Sequence, residues 1–248
     1  MHYYDDSRFS PPAVALISGF RQAAATMTRT TTTLRFALML TAANGFLDAY
    51  TYLARGGVFA NVQTANVIFF ALNTSQGKLS SALAHVWPIL AFFAGVALAS
   101  HLKSGRVDRY LAHPLRWAML LQAPVLFIIG FVPTTVAHSY VTVPISFVAA
   151  IQIGLFRNIG GFVYLPVATT GNLMRLVEAG YTGFVDHDAT SRRAFGTYAA
   201  LTAAFTGGAV VGAFATHAWS GHAIWLPAAM LVVTLMLFVI DERKGIEP

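Results

Sequence analysis

The chain alternates long apolar stretches with short runs that collect almost all of its charge. Six stretches are long enough to span about 30 Å of hydrocarbon as helices: residues 34–54, 83–102, 115–132, 139–158, 194–216 and 222–240. Two shorter apolar pieces break this rhythm. Residues 58–73 contain Asn61, Gln63, Thr64 and Asn66, and residues 163–177 contain Pro166, Thr169, Thr170, Gly171, Asn172 and Arg175. Each follows a glycine pair, Gly56-Gly57 or Gly160-Gly161. Paired glycines permit a sharp backbone break. A short apolar segment with polar interruptions after such a break predicts a re-entrant or broken helix, because irregular backbone in a membrane must be buried in protein or line a cavity.

Composition points the same way. Hydrophobic residues make up 56% of the 248 and charged residues only 10%, against about 25% charged in a soluble domain. The expected solvent is therefore a bilayer. The net charge is +6, but the cations sit between spans and form no basic stripe with interleaved aromatics, so nucleic acid is not an expected partner.

The distribution of cations tests the topology. Suppose the N-terminus is cytoplasmic and the two short pieces turn back. Fourteen of the 16 Lys and Arg then face the cytoplasm, with only Arg55 and Lys78 outside. If both pieces cross fully, the split falls to ten against six. Cytoplasmic enrichment of Lys and Arg favours the first arrangement. Early acidic residues, Asp5 and Asp6, and the lack of an A-x-A-like site argue against a cleaved signal.

The two halves resemble each other. Asn44-Gly45-Phe46-Leu47-Asp48, Gly56-Gly57-Val58-Phe59 and Thr64-Ala65-Asn66 recur in order as Gln152-Ile153-Gly154-Leu155, Gly160-Gly161-Phe162-Val163 and Thr170-Gly171-Asn172. Each unit precedes a span with small residues four apart, Gly95 and Ala99 or Gly208 and Gly212, and ends in a span with an early Trp, Trp117 or Trp225. Three crossings per half would insert the second half upside-down, an arrangement that points to a transport site near the midplane. The predicted fold is an all-α polytopic membrane protein: six transmembrane helices plus two short re-entrant or broken helices in an inverted structural repeat. Its parts are a cytoplasmic lead-in (1–33), a first repeat (34–133), a second repeat (134–241) and a cytoplasmic tail (242–248).

Gly45-Phe46-Leu47-Asp48-Ala49, Gly56-Gly57-Val58-Phe59 and Gln63-Thr64-Ala65-Asn66, with Gln152, Gly160-Gly161 and Thr170-Gly171-Asn172-Leu173, resemble the two signatures of the YoaK-like family of bacterial membrane proteins. Ala65 stands where that family usually has glycine, and Ile153-Gly154 replaces its polar-small pair. The resemblance covers roughly residues 34 to 240. It implies a bacterial inner-membrane protein and carries no activity with it.

Asp48 is the only acid inside a predicted span, about 21 Å along its helix from Leu34. An intramembrane acid is a functional-site candidate by default. It would carry a proton, bind a cation or pair with a base, and Arg157, a turn beyond Gln152, is the candidate partner for a structural ion pair. Asn61, Gln63, Thr64, Asn66, Gln152, Thr169, Thr170 and Asn172 complete the candidate pathway, with Gly56, Gly57, Gly160 and Gly161 as breaks. A half-helix starting inside the membrane offers free N–H groups and a positive end to an anion. The structural alternative is that Asn and Thr only repair freed backbone groups. Arg55 and Arg175 read as interfacial cations. The small-residue pairs fit close helix packing, within the monomer or across a homodimer seam.

No cofactor or metal is predicted. Cysteine is absent, the eight histidines lack metal spacing, and no Walker, Rossmann or G-x-S-x-G pattern occurs. The first functional expectation is a secondary transporter or channel for a small polar or anionic solute, with its site between the repeats. The alternatives are a membrane enzyme on a lipid-linked substrate, using Arg175, Glu178, Asp186, His187 and Asp188, and a non-catalytic assembly partner.

Overall fold

The computed structural model describes residues 34–104, 114–156, 158–159, 162–163 and 169–243. The lead-in 1–33, Arg157, Gly160, Gly161 and the end of the tail lie outside them. The described residues form α1 (Leu34–Ala54), α2 (Gln63–Ser75), α3 (Leu79–Lys103), α4 (Pro114–Ile129), α5 (Ser139–Leu155), α6 (Thr169–Phe184), α7 (Ala189–Trp219) and α8 (Trp225–Arg243). A 3-10 turn, Ser220–Ile224, joins α7 to α8. Each of the six long predicted stretches falls on a helix. One departure from an all-helical chain is a two-residue antiparallel pairing, Asn158 with Val163 and Ile159 with Phe162.

The bundle buries polar side chains and exposes large apolar ones. Asn44, Asp48, Arg55, Asn61, Asn66 and Gln152 are buried, while Leu79, Leu83, Trp87, Leu90 and Phe93 line an exposed face of α3. An exposed apolar face of this kind marks a surface made to meet lipid or another protein. Two stretches among the described residues are long and apolar enough to cross a membrane: Leu79–Lys103, and Ala189–Ile240, which takes in α7 and α8. α1 has the length, 21 residues, but its buried polar side chains dilute its apolar character.

Two glycine-lined crossings hold the bundle together. α1 packs on α7, and α3 packs on α5. A Cβ on Gly208 would run into the carbonyl of Ala42, and one on Gly212 would fall 2.7 Å from the Phe46 oxygen. Likewise a Cβ on Gly95 would meet the Phe147 oxygen and Ala150, and one on Gly154 would meet Ala99. The contacts advance together along both members of each pair, so α1 runs parallel to α7, and α3 to α5. α1 and α5 are antiparallel, since Asn44 touches Gln152 while Phe36, nearer the start of α1, stacks on Phe156 beyond the end of α5. The further pairings are α2 with α3, α6 with α7, α4 with α5, α1 with α8, and α4 with α8.

After α1 the chain turns at Gly56 and Gly57, whose φ angles of 76° and 72° lie in the left-handed region that glycine enters without a Cβ penalty. Residues 58–62 then run back beside α1: the Ala60 amide meets Thr51 and the Asn61 amide meets Asp48. α2 starts at that depth. It leaves through the turn at Gln76-Gly77 to the start of α3, at the end of the bundle where α1 had finished. The same end gathers Val132, Pro133 and Gly221, bonded to Arg55 or Tyr50, and His138, packed on Gly56.

Candidate functional site

One face of α1 carries Thr41, Asn44, Asp48 and Thr51, and Arg55, the residue after the helix ends, continues the row, all spaced three and four residues apart. That spacing keeps a single stripe on one side of a helix. The stripe faces inward: Asp48 is 3% exposed and Arg55 0%. Asn44 is the central residue of α1, ten from either end.

The stripe first serves the irregular segment beside it. Buried main-chain groups need partners, and side chains supply them here. Asn66 accepts from the Phe59 amide at 3.2 Å and donates to the Phe59 carbonyl at 2.6 Å. The Thr51 hydroxyl accepts from the Ala60 amide, and Gln63 and Ser146 both donate to the Ala60 carbonyl. Asp48 Oδ1 accepts from the Asn61 amide at 3.1 Å, one residue before the N-cap of α2 at Val62. The Asp48 carboxylate therefore lies just ahead of the positive end of this helix, whose N-cap, Val62, has no side-chain cap.

A second set of valences is left over. Asn61 Nδ2 donates to the Asn44 carbonyl at 3.3 Å, and Asn44 Nδ2 donates to the Leu40 carbonyl at 2.8 Å and to Gln152 Oε1 at 3.0 Å. The two carbonyls fix which way the Asn44 and Asn61 amides point. Asp48 Oδ2, Asn61 Oδ1, Asn44 Oδ1, Thr41 Oγ1 and Gln152 Nε2 are buried and have no partner among the described residues. Most buried polar atoms in folded proteins are paired, so a contiguous group of unpaired ones requires an explanation. The group joins α1 to α5, one helix from each half.

Both ends of the stripe are closed. Towards the Gly56 end, the Arg55 guanidinium donates to the Tyr50 hydroxyl at 2.8 and 3.0 Å, to the Val132 carbonyl at 2.9 Å and to the Pro133 carbonyl at 2.9 Å. Tyr50 in turn donates to the Gly221 carbonyl at 3.0 Å. The opposite end is closed by the Phe36 and Phe156 rings, 5.2 Å apart and buried.

The predicted site residues separate into groups. Asp48, Asn61 and Gln152 fall in the unpaired cluster. Gln63 and Asn66 are spent on the backbone of 59–60, the structural alternative for these two. Thr64 and Thr170 are exposed, Thr169 is half-buried, and Asn172 is buried on α6. α2 packs on α3 and α6 on α7, so each half-helix lies against the small-residue helix of its own half. Arg157, Gly160 and Gly161 lie outside the described residues, and with them the expected Asp48–Arg157 pair. Arg55 is not the expected interfacial cation, because four hydrogen bonds hold it inside the bundle. Of the residues considered for an enzyme, Asp188 accepts from the Ser191 amide at 2.6 Å as the N-cap of α7, while Glu178, Asp186 and His187 are exposed. Hydrogen bonding to Ser191 holds the Asp188 carboxyl below the usual carboxylate range. Thr41, Asn44 and Thr51 were missed as site residues, though the three-four spacing with Asp48 is readable in the sequence.

A family model described as a protein of unknown function, DUF1275, matches residues 36–237. No curated protein and no solved structure matches the chain.

Proposed function

The chain belongs to the DUF1275 family of proteins of unknown function, and on that premise we propose that it is a multi-pass inner-membrane transporter or channel for a small polar solute. Its six long helices span the bilayer, α2 and α6 are re-entrant, and the halves form an inverted repeat. The helix pairings support this arrangement. Exchange α1 with α5, α2 with α6, α3 with α7 and α4 with α8. The α1–α7 crossing then becomes α3–α5, α2–α3 becomes α6–α7, and α1–α8 becomes α4–α5, while α4–α8 maps onto itself. Asn44 and Gln152, one from each half, touch each other across the interface.

The observation that carries the function is the unpaired polar cluster between α1 and α5, halfway along α1 and closed at both ends. A broken helix beginning beside a polar pair at the repeat interface is the arrangement in which transporters bind solute. An anionic solute is the poorer fit, because the buried Asp48 carboxylate, bonded to the Asn61 amide just ahead of the half-helix, would repel it. The closed ends correspond to an occluded state, with Arg55 as the latch on the extracytoplasmic side and Phe36–Phe156 on the cytoplasmic side.

Purified protein in liposomes tests this reading, with flux of a panel of small neutral, cationic and anionic solutes measured. Flux that falls in Asp48→Asn or Asn44→Leu supports it. Absence of any flux that depends on Asp48, Asn44 or Gln152 refutes it.

A further inference from the structure

We propose that Asp48, Asn61 and Asn44 form a binding site for a small monovalent cation, either a proton or a metal ion. The inference rests on the site assigned above and adds the class of its ligand.

The first argument is the balance of donors and acceptors. Four of the five unpaired atoms are oxygens: Asp48 Oδ2, Asn61 Oδ1, Asn44 Oδ1 and Thr41 Oγ1. Gln152 Nε2 is the one that can only donate. Asn61 bonds to Asp48 through its main-chain amide and to Asn44 through its side chain. It therefore sits between two residues one turn apart on α1, which brings the oxygens of Asp48, Asn61 and Asn44 to one site. An oxygen-rich cluster suits hard cations, and unwound segments between half-helices supply such sites.

The second argument is charge. Asp48 is buried, and its Oδ1 accepts from an uncharged main-chain amide. An ionised carboxylate so placed costs several kcal/mol unless a positive charge meets it. The titratable groups on neighbouring elements are engaged or remote. Arg55, seven residues along α1, is spent on Tyr50, Val132 and Pro133. His85 on α3 is bonded to Asn66. His217 on α7, His222 in the 3-10 turn and Tyr140 on α5 make no hydrogen bond with Asp48 among the described residues. With no cationic partner for Asp48 among the described residues, the positive charge comes from solution, as a proton on Oδ2 or as a metal ion shared with the amide oxygens.

The test needs no transport. The unfolding midpoint of the detergent-purified chain is measured against sodium chloride, potassium chloride and choline chloride at matched ionic strength, and against pH. A rise with sodium or potassium but not choline identifies a metal ion. A rise with acidification alone identifies a proton. Either effect must weaken about tenfold or more in apparent affinity when Asp48→Asn removes the charge. Asn61→Ala keeps the main-chain bond to Asp48 and removes one oxygen, so it should weaken binding of a metal ion while leaving the fold. Gln152→Glu adds a carboxylate and should tighten binding. A cation or acid effect that persists unchanged in Asp48→Asn overturns the proposal. So does stabilisation that follows the anion, or no cation or pH dependence at all. Cation binding without flux would sink the transport reading alone, and flux without cation or pH dependence would sink this one alone.

Discussion

Two neighbouring glycines on α7 should respond oppositely to the same substitution. A Cβ at Gly208 would overlap the Ala42 carbonyl oxygen and lie 2.7 Å from its carbon and 2.8 Å from its Cα. Ordinary contact begins near 3.4 Å, so the helices must part by at least about 0.7 Å for the carbon alone. The obstructing atoms are backbone and cannot rotate away. Overpacking of this kind costs about 3 kcal/mol, from which the helix preference of Ala over Gly recovers about 1 kcal/mol. Gly208→Ala should thus lose about 2 kcal/mol, a fall of roughly 4–8 °C in Tm for a chain of this size. Gly207 has nothing within 4 Å of a built Cβ. Gly207→Ala should keep the propensity gain and raise Tm by about 2–4 °C. Thermal unfolding of the two variants in detergent, followed by circular dichroism, reads the difference directly. Equal shifts in the same direction would mean that α1 and α7 do not cross as closely as described.

Further outcomes follow from the same structure. Arg55→Ala strands the Val132 and Pro133 carbonyls at about 1–3 kcal/mol each, so Tm should fall. Arg55→Lys should recover only part of the loss, since an ammonium cannot reproduce the planar fork. A Tm for Arg55→Ala equal to wild type would show that desolvating the cation cancels its bonds. The chain has no cysteine, so single cysteines report topology without background. Cysteines at Gln76 and Ser220 should react with a membrane-impermeant maleimide from the extracytoplasmic side, and cysteines at Ser104 and Asp186 only from the cytoplasmic side. Labelling of Gln76 and Ser104 from the same side would show that α3 does not cross. The flux and cation-binding experiments above complete the set.

Much of the frame is legible without coordinates. The six apolar stretches fall on helices, in which each segment pairs its main-chain groups within itself however apolar its side chains are. Gly56-Gly57 reads as a break because residues with a side chain resist the left-handed angles found there. Asp48 stands out because an acid in an apolar run needs a reason. The Thr-x-Asn motifs were harder to read. Asn66 and Thr64 are two residues apart, about 200° around a helix, so one is buried on the Phe59 backbone and the other is exposed. A motif treated as a unit hides that separation. Arg55 looked interfacial because it ends a span, but the sequence gives no sign that Val132, Pro133 and Gly221 gather above it.

By itself the sequence determined the apolar, helical class, the positions of the helices, the broken segment and the buried acid, since all of these follow from local composition and spacing. Only the tertiary structure decided which polar atoms are spent and which remain open. Gln63, Asn66 and Asp48 Oδ1 satisfy the backbone of 59–61, while Asp48 Oδ2, Asn61 Oδ1 and Asn44 Oδ1 do not find partners. Whether a hydrogen-bonding atom is free depends on what a distant part of the chain places within about 3 Å of it, and residue order alone does not fix that distance.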